Sequence, residues 1–354
     1  MIALISLTIF PLILEIFMGN MNNAKRKKIF LILCGIAIAF VMGFRSRYTG
    51  TRDTEMYGIT FDSLKWSNVG LIEYLRQSMG TNVVFSELGF SAYIWVIAKV
   101  FPSYRYLLIF TAIMNISLTM RFIYKYSKNA LLSVIMFVCL GLFTFNMNGL
   151  RQCIAMSICL LAYDFIEKKK FIPFLLVVIL AMSFHKSAIF FALTYFIIFM
   201  KPKWNYTMFF VGLLVLFVLF ADNLTIIYDA LTSEDYSGAE SFDSGGVVTI
   251  LIYTSVIVFA LISKDKIRKG TAFNCILLSL VGLILYLARF FSVQIYERVS
   301  YYFYYFVILL LPSAINTYEI KSQTLINTVV IILSIALFVY RIQGGAFSDF
   351  TLVL

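Results

Sequence analysis

Apolar runs long enough to cross a bilayer recur from one end of this 354-residue chain to the other, separated only by short polar punctuation. A water-soluble domain buries one apolar core beneath a polar surface, and a chain 61% hydrophobic and 13% charged cannot supply that surface. The solvent implied is lipid. At about 20 apolar residues per crossing, the length leaves room for about twelve spans and no sizeable soluble domain. The expected fold class is therefore all-α, a single polytopic membrane domain over residues 1–354. The five cysteines lie in or beside apolar segments with no CxxC spacing, which points to neither a disulfide framework nor a zinc site. Residues 1–18 are apolar, lack a preceding basic stretch and are followed by no small-residue cleavage pattern, so they read as a retained first span.

Candidate spans fall near 2–18, 29–44, 105–123, 131–147, 150–166, 171–184, 187–200, 206–221, 247–263, 271–288, 299–317 and 323–340, with a doubtful one at 86–101. The formal charge of +11 invites a nucleic-acid partner until the charges are placed. Basic clusters at Lys25–Lys28, Lys125 and Lys128, Lys168–Lys170, Lys201 and Lys203, and Lys264–Lys269 occupy alternate loops, as cytoplasmic loops should. The segment 222–246 is acidic and lies in a stretch without Lys or Arg, which makes it an external loop. Splitting the run 171–200 at His185 keeps both basic flanks inside and places His185 outside. The same parity puts 146–151 and 289–298 outside. It holds only if 86–101 does not cross, so that segment is expected to be a re-entrant or membrane-surface helix, leaving both termini outside.

Charges that run against the positive-inside pattern are the informative ones. After the second span, Arg45, Arg47 and Arg52 fall within eight residues on the external side, followed by Asp53, Glu55 and Tyr57. A solvated loop with arginines paired to Asp53 and Glu55 is the plain structural explanation; an anion site is the functional one, because guanidinium offers paired donors matched to phosphate. Asn148 is expected to cap the helix that carries Arg151 and Gln152 in its first turn, where free backbone N–H groups favour an anion. Arg151 reaching out to lipid headgroups is the alternative. His185, the only histidine, sits with Lys186 in an external turn and can take a proton from a hydroxyl, or can simply be a satisfied polar residue. Arg289 and Arg298 flank the last external turn, and Glu87 opens the doubtful helix. Together these residues describe a basic external cavity at membrane level, suited to an amphiphile with an anionic head. No metal-ligand spacing and no cofactor motif is present.

At these residues the chain resembles the EpsG family of bacterial polysaccharide polymerases, related to Wzy-type O-antigen and capsule polymerases. The likeness lies in GFRSRYTGTRDTEMY, FSELGF, NMNGLRQCIAMSI, FHKSAI and ERVSYYF, in that order along most of the chain. Where the family has a Gly-Thr-Asp step, this chain reads Gly50-Thr51-Arg52-Asp53. The resemblance implies a GT-C-like architecture of about twelve transmembrane helices, with membrane-surface helices in the first external loop, 45–104. It also implies glycosyl transfer on the outer face of the inner membrane, from an undecaprenyl pyrophosphate carrier to a new undecaprenyl-pyrophosphate-linked oligosaccharide. Membrane lipids and a chain-length regulator are the further partners implied, with no nucleic acid. In that chemistry His185 is the expected base, with Asp53 and Glu87 as second choices. Arg45, Arg47, Arg52, Arg151, Arg289 and Arg298 are expected to bind pyrophosphate, with Tyr57, Asn148, Gln152 and Lys186 beside them; the expected route inverts the anomeric carbon by single displacement, and a two-step retaining route would need a carboxylate nucleophile, for which Asp53 is the candidate. A lipid-linked glycan flippase and a ligase using the same donor are the competing activities.

Overall fold

The computed structural model describes residues 1–19, 23–49, 52–79, 87–199, 244–263, 270–288, 293–343 and 347–353. The candidate span 206–221, most of the acidic segment 222–246, Arg289 and the side chain of Arg52 lie outside the described residues. Within them the architecture is helical, as lipid demands of a chain that must satisfy every backbone group locally. The isolated β-bridge, Arg45 to Leu352, is antiparallel. The helices are α1 (Ile2–Met18), α2 (Ala24–Gly43), α3 (Arg52–Trp66), α4 (Leu71–Met79), α5 (Leu88–Val100), α6 (Arg105–Tyr126), α7 (Ala130–Cys139), α8 (Leu142–Asn148), α9 (Leu150–Glu167), α10 (Phe171–Met182) and, after a 3₁₀ segment over Lys186–Ala192, α11 (Leu193–Phe199). There follow α12 (Ser244–Ile262), α13 (Thr271–Ala288), α14 (Val293–Tyr304), α15 (Val307–Ile315) and α16 (Ile320–Ile342).

Four of the described stretches are long and apolar enough to cross a membrane: α6, α13, the run Tyr296–Ile315, and α16; α7 with α8 makes a fifth if counted as one span. Five shorter apolar helices accompany them. The apolar surface is distributed as in a membrane protein. Every residue of α7 is buried, placing it at the centre, whereas α16 leaves Leu325, Ile332 and Leu333 exposed. In water that exposed stripe would be a liability; against acyl chains it costs nothing. The run 131–147, which the sequence offers as one candidate span, bends by 51° between α7 and α8. Gly141 adopts φ +105 at the break, a left-handed conformation that glycine accepts without a Cβ clash.

Polar contacts sort the helix ends into two layers. In one layer Lys27 Nζ donates to the Ser127 carbonyl (2.8 Å), Asp164 accepts from Tyr126 (2.6 Å) and pairs with Lys125 (2.8 Å) and Arg121, and Thr271 donates to Glu167 (3.3 Å). Asn23 and Asn129 cap α2 and α7 there by accepting backbone N–H groups. The opposite layer holds Arg45, Arg47, Arg151 and Arg298. Both chain ends meet in it: the Met1 amino group lies 3.5 Å from the Phe350 carbonyl, Ser46 N–H donates to Thr351 (3.0 Å), and Val353 N–H donates to Phe44 (2.7 Å). Helix α5 starts in this layer, and the chain is back in it four residues past the end of the helix. Glu87 at its start bonds Arg151, and just past its end Tyr104 donates to the Thr54 carbonyl of α3 (2.9 Å).

Candidate active site

Glu87, the residue before α5, lies at the centre of the arginine layer. Its Oε1 is 2.5 Å from His185 Nδ1 and accepts the Lys186 backbone N–H at 3.2 Å, while Oε2 accepts from Arg151 Nη1 at 2.5 Å. Its side chain is 9% exposed and that of His185 1%. A carboxylate taken this far from water costs several kcal/mol unless it is paired and hydrogen-bonded, and here three donors meet its two oxygens. Burial by itself would raise its carboxyl, but the His185 imidazole, Arg151 and the Lys186 N–H outweigh it and hold Glu87 at about 2, against an ordinary 4.5. Glu87 is thus an ionised anchor at neutral pH.

Each partner arrives on a different element. The end of α10 turns at Ser183, where His185 N–H donates to the Ala181 carbonyl (3.1 Å), and the chain re-enters as the 3₁₀ segment. The split at His185 expected from charge parity is the turn observed. Helix α5 docks on this turn: Phe90 N–H donates to the Ser183 carbonyl (3.2 Å), and Gly89 lies so close that a Cβ would sit 2.9 Å from that oxygen. Arg151 is the second residue of α9. The cap position belongs to Gly149 rather than Asn148, because α8 continues through Asn148 and leaves only one residue between the helices. Arg151 Nε donates to the Tyr57 hydroxyl (3.2 Å), and its guanidinium carbon lies 5.8 Å from the Tyr57 ring centroid. Burial raises the Tyr57 hydroxyl, with Arg151 pulling the other way. Gln152 Nε2 donates to the Arg298 carbonyl (2.5 Å), and Arg298 reaches Asp53 at 3.7 Å. The network therefore joins α3, α5, α9, the His185 turn and α14.

With Nδ1 facing the Glu87 carboxylate, the imidazole is held in the orientation that leaves Nε2 to act on another group. Nε2 is buried and has no hydrogen-bond partner among the described residues. The arrangement combines an oriented imidazole with fixed guanidinium charge, which is what proton abstraction beside a departing phosphate requires.

Other sequence candidates are placed differently. Arg45 is buried and donates to the Met42 carbonyl and, at 2.7 Å, to the Met147 carbonyl, so it ties the last turn of α2 to the end of α8. Burial lowers its guanidinium to about 10, still cationic at neutral pH. Arg47 pairs with Asp62 (3.0 Å) rather than with Asp53 or Glu55, and its guanidinium lies 5.7 Å from the Tyr104 ring centroid. Asp62, Tyr104 and Arg105 were not singled out from sequence. Only the folding of 45–105 back on itself brings them to Arg47. Among the described residues no group of three or more His, Cys, Asp or Glu side chains could hold a metal ion.

Apolar helices, two polar layers and a buried carboxylate–imidazole–guanidinium network define a multi-pass membrane protein with a charged site at one layer. The EpsG family model matches residues 7–351, and the chain belongs to the EpsG family, a membrane protein of the polysaccharide-polymerase type. No curated protein and no solved structure matches it.

Proposed function

We propose that this protein polymerises a polysaccharide by glycosyl transfer between undecaprenyl-pyrophosphate-linked oligosaccharides on the outer face of the bacterial inner membrane. The observation that carries the proposal is Glu87 gripping His185 and Arg151 at once, an acid–base group and a phosphate-matched cation on one anchor. The outer face is supported by the basic clusters at Lys25–Lys28, Lys125 and Lys128, and Lys168–Lys170, at the opposite ends of the helices. The GT-C-like architecture of about twelve spans, with 45–104 as an external cap, belongs to the same proposal.

In the proposed reaction the acceptor hydroxyl gives its proton to His185 Nε2 as its oxygen attacks the anomeric carbon of the growing chain. The bond from that carbon to the pyrophosphate oxygen breaks, its electron pair leaves with the pyrophosphate, and the anomeric centre inverts. Arg151 and Arg298 neutralise the charge that develops on the leaving group. Glu87 keeps the imidazole oriented and stabilises the imidazolium; with both oxygens engaged and its carboxyl near 2, it is a positioning residue rather than the base. His185 is buried, so the hydroxyl reaches Nε2 only as the side chains over it move aside.

A flippase needs cationic groups facing both leaflets along its path, whereas the arginine network here gathers at one layer. Purified protein in proteoliposomes supplied with a lipid-linked repeat unit should give a ladder of lipid-linked oligomers and release polyprenyl pyrophosphate. Transfer only to an added second acceptor would make it a ligase. Movement of the lipid with no covalent product would make it a flippase.

A further inference from the structure

Two unlike surfaces meet end to end along the antiparallel pair α2 and α6. An apolar groove of about 550 Å³ follows the pair from Lys28 to Phe44 on α2 and from Tyr124 to Ile109 on α6. At 1.5 Å per residue that stretch of α2 is about 24 Å long, most of a hydrocarbon core of about 30 Å. Small side chains, Gly35 and Ala39 on α2 and Ser117 on α6, open the groove, and Ile36 and Ile113 line it with 62% and 50% exposure. At the arginine layer the groove adjoins a more polar cavity, one residue further along each segment. Arg45, next to Phe44, and Leu108, next to Ile109, line a second cavity of about 350 Å³ together with Arg47, Arg105 and Asp62. Arg105 joins the two, with its guanidinium 6.0 Å from the ring centroid of Phe44. Three guanidinium groups against the one carboxylate of Asp62 leave two surplus positive charges. None of these lining residues belongs to the Glu87 network.

We propose that the groove and the arginine pocket together seat the polyprenyl pyrophosphate carrier of the acceptor, at a site separate from the one where the bond is made. The assignment to the acceptor rests on the polymerase reading above. The chemistry of the occupant follows from three features. A pyrophosphate diester carries about two negative charges, matching the surplus, whereas an ordinary phosphodiester headgroup carries one. A groove most of a bilayer long suits one long, methyl-branched chain better than an acyl chain confined to its own leaflet, about half that depth. The donor's pyrophosphate is bonded to the reacting carbon and must lie beside His185, whereas the acceptor's is removed from its reacting hydroxyl by a whole repeat unit. A head pocket outside the Glu87 network fits the second substrate.

The test is photolabelling of the full-length protein in nanodiscs with a diazirine-bearing polyprenyl pyrophosphate, mapped by mass spectrometry. Label should fall on α2 and α6 and be displaced by unlabelled polyprenyl pyrophosphate but not by phosphatidylglycerol. Ala39→Phe, which fills the groove, and Arg105→Gln, which leaves it open, should each cut that label about tenfold. Ala39→Phe should also raise KM for the lipid-linked acceptor while leaving kcat unchanged. Equal displacement by phosphatidylglycerol, label confined to the Glu87 network, a cross-link to a second copy of the chain, or indifference to both substitutions overturns the proposal. The two readings fail separately: correct label with no polymer ladder leaves the lipid site and removes the polymerase, and a normal ladder with no label on α2 and α6 removes only the lipid site.

Discussion

Glu87 carries more of the structure than its position in the sequence announces. A short turn holding one carboxylate gives no sign that His185, 98 residues away, and Arg151, 64 residues away, converge on its two oxygens. The sequence did expose the members, because an arginine or histidine at the external ends of apolar runs is costly unless used. It could not expose the pairing, which depends on how α5 folds back. The pairing has a pH signature. The folded carboxyl lies at about 2, below the ordinary 4.5, so the stability it contributes is fully present above about pH 4.5 and is lost as pH falls through about 2. Glu87→Gln should therefore cost on the order of 3 kcal/mol at neutral pH, and its melting temperature should converge on the wild-type value as pH is lowered through 4.5 toward 2. A constant gap across that range would show that the ionised carboxylate is not what holds the turn. Arg151→Lys keeps the charge and loses the planar fork that serves Glu87 and Tyr57 together; turnover should fall roughly 10²–10³-fold. Unchanged turnover would make the charge alone sufficient.

The elements were legible where periodicity and charge agree and illegible where a break depends on backbone geometry. The turn at His185 followed from the parity of the basic loops, and α5 starts against that turn, with Glu87 on His185 and Arg151. The bend between α7 and α8 did not follow, since Gly141 within a continuous apolar run looks like any small residue. Gly149 takes the cap position that the composition of Asn148 suggests, because Asn148 is the last residue of α8. Gly89 gives the sharpest test at this scale. Its missing Cβ lets α5 approach the Ser183 turn, and Gly89→Ala would place a methyl 2.9 Å from the Ser183 carbonyl and closer still to its hydroxyl. Thermal unfolding should show a loss of about 1–3 kcal/mol. Polymer yield in the same variant should fall as well, because moving the start of α5 moves Glu87. Lost stability with full activity would separate the docking of α5 from the site.

At the scale of the whole molecule, two polar layers separated by apolar helices are what the alternating basic loops required, and the meeting of both termini beside Arg45 agrees with an even number of crossings. Orientation is directly measurable because all five native cysteines are buried, which keeps the labelling background low. In spheroplasts a membrane-impermeant maleimide should label Ser348→Cys and should label Lys169→Cys only after permeabilisation; the reverse pattern would put the arginine layer in the cytoplasm. The relation between the layers and the chemistry comes down to His185. In proteoliposomes supplied with a lipid-linked repeat unit, His185→Ala that retains the wild-type melting temperature should extend polymer roughly 10²–10⁴ times more slowly than wild type. A ladder of wild-type length formed at the wild-type rate would contradict the account.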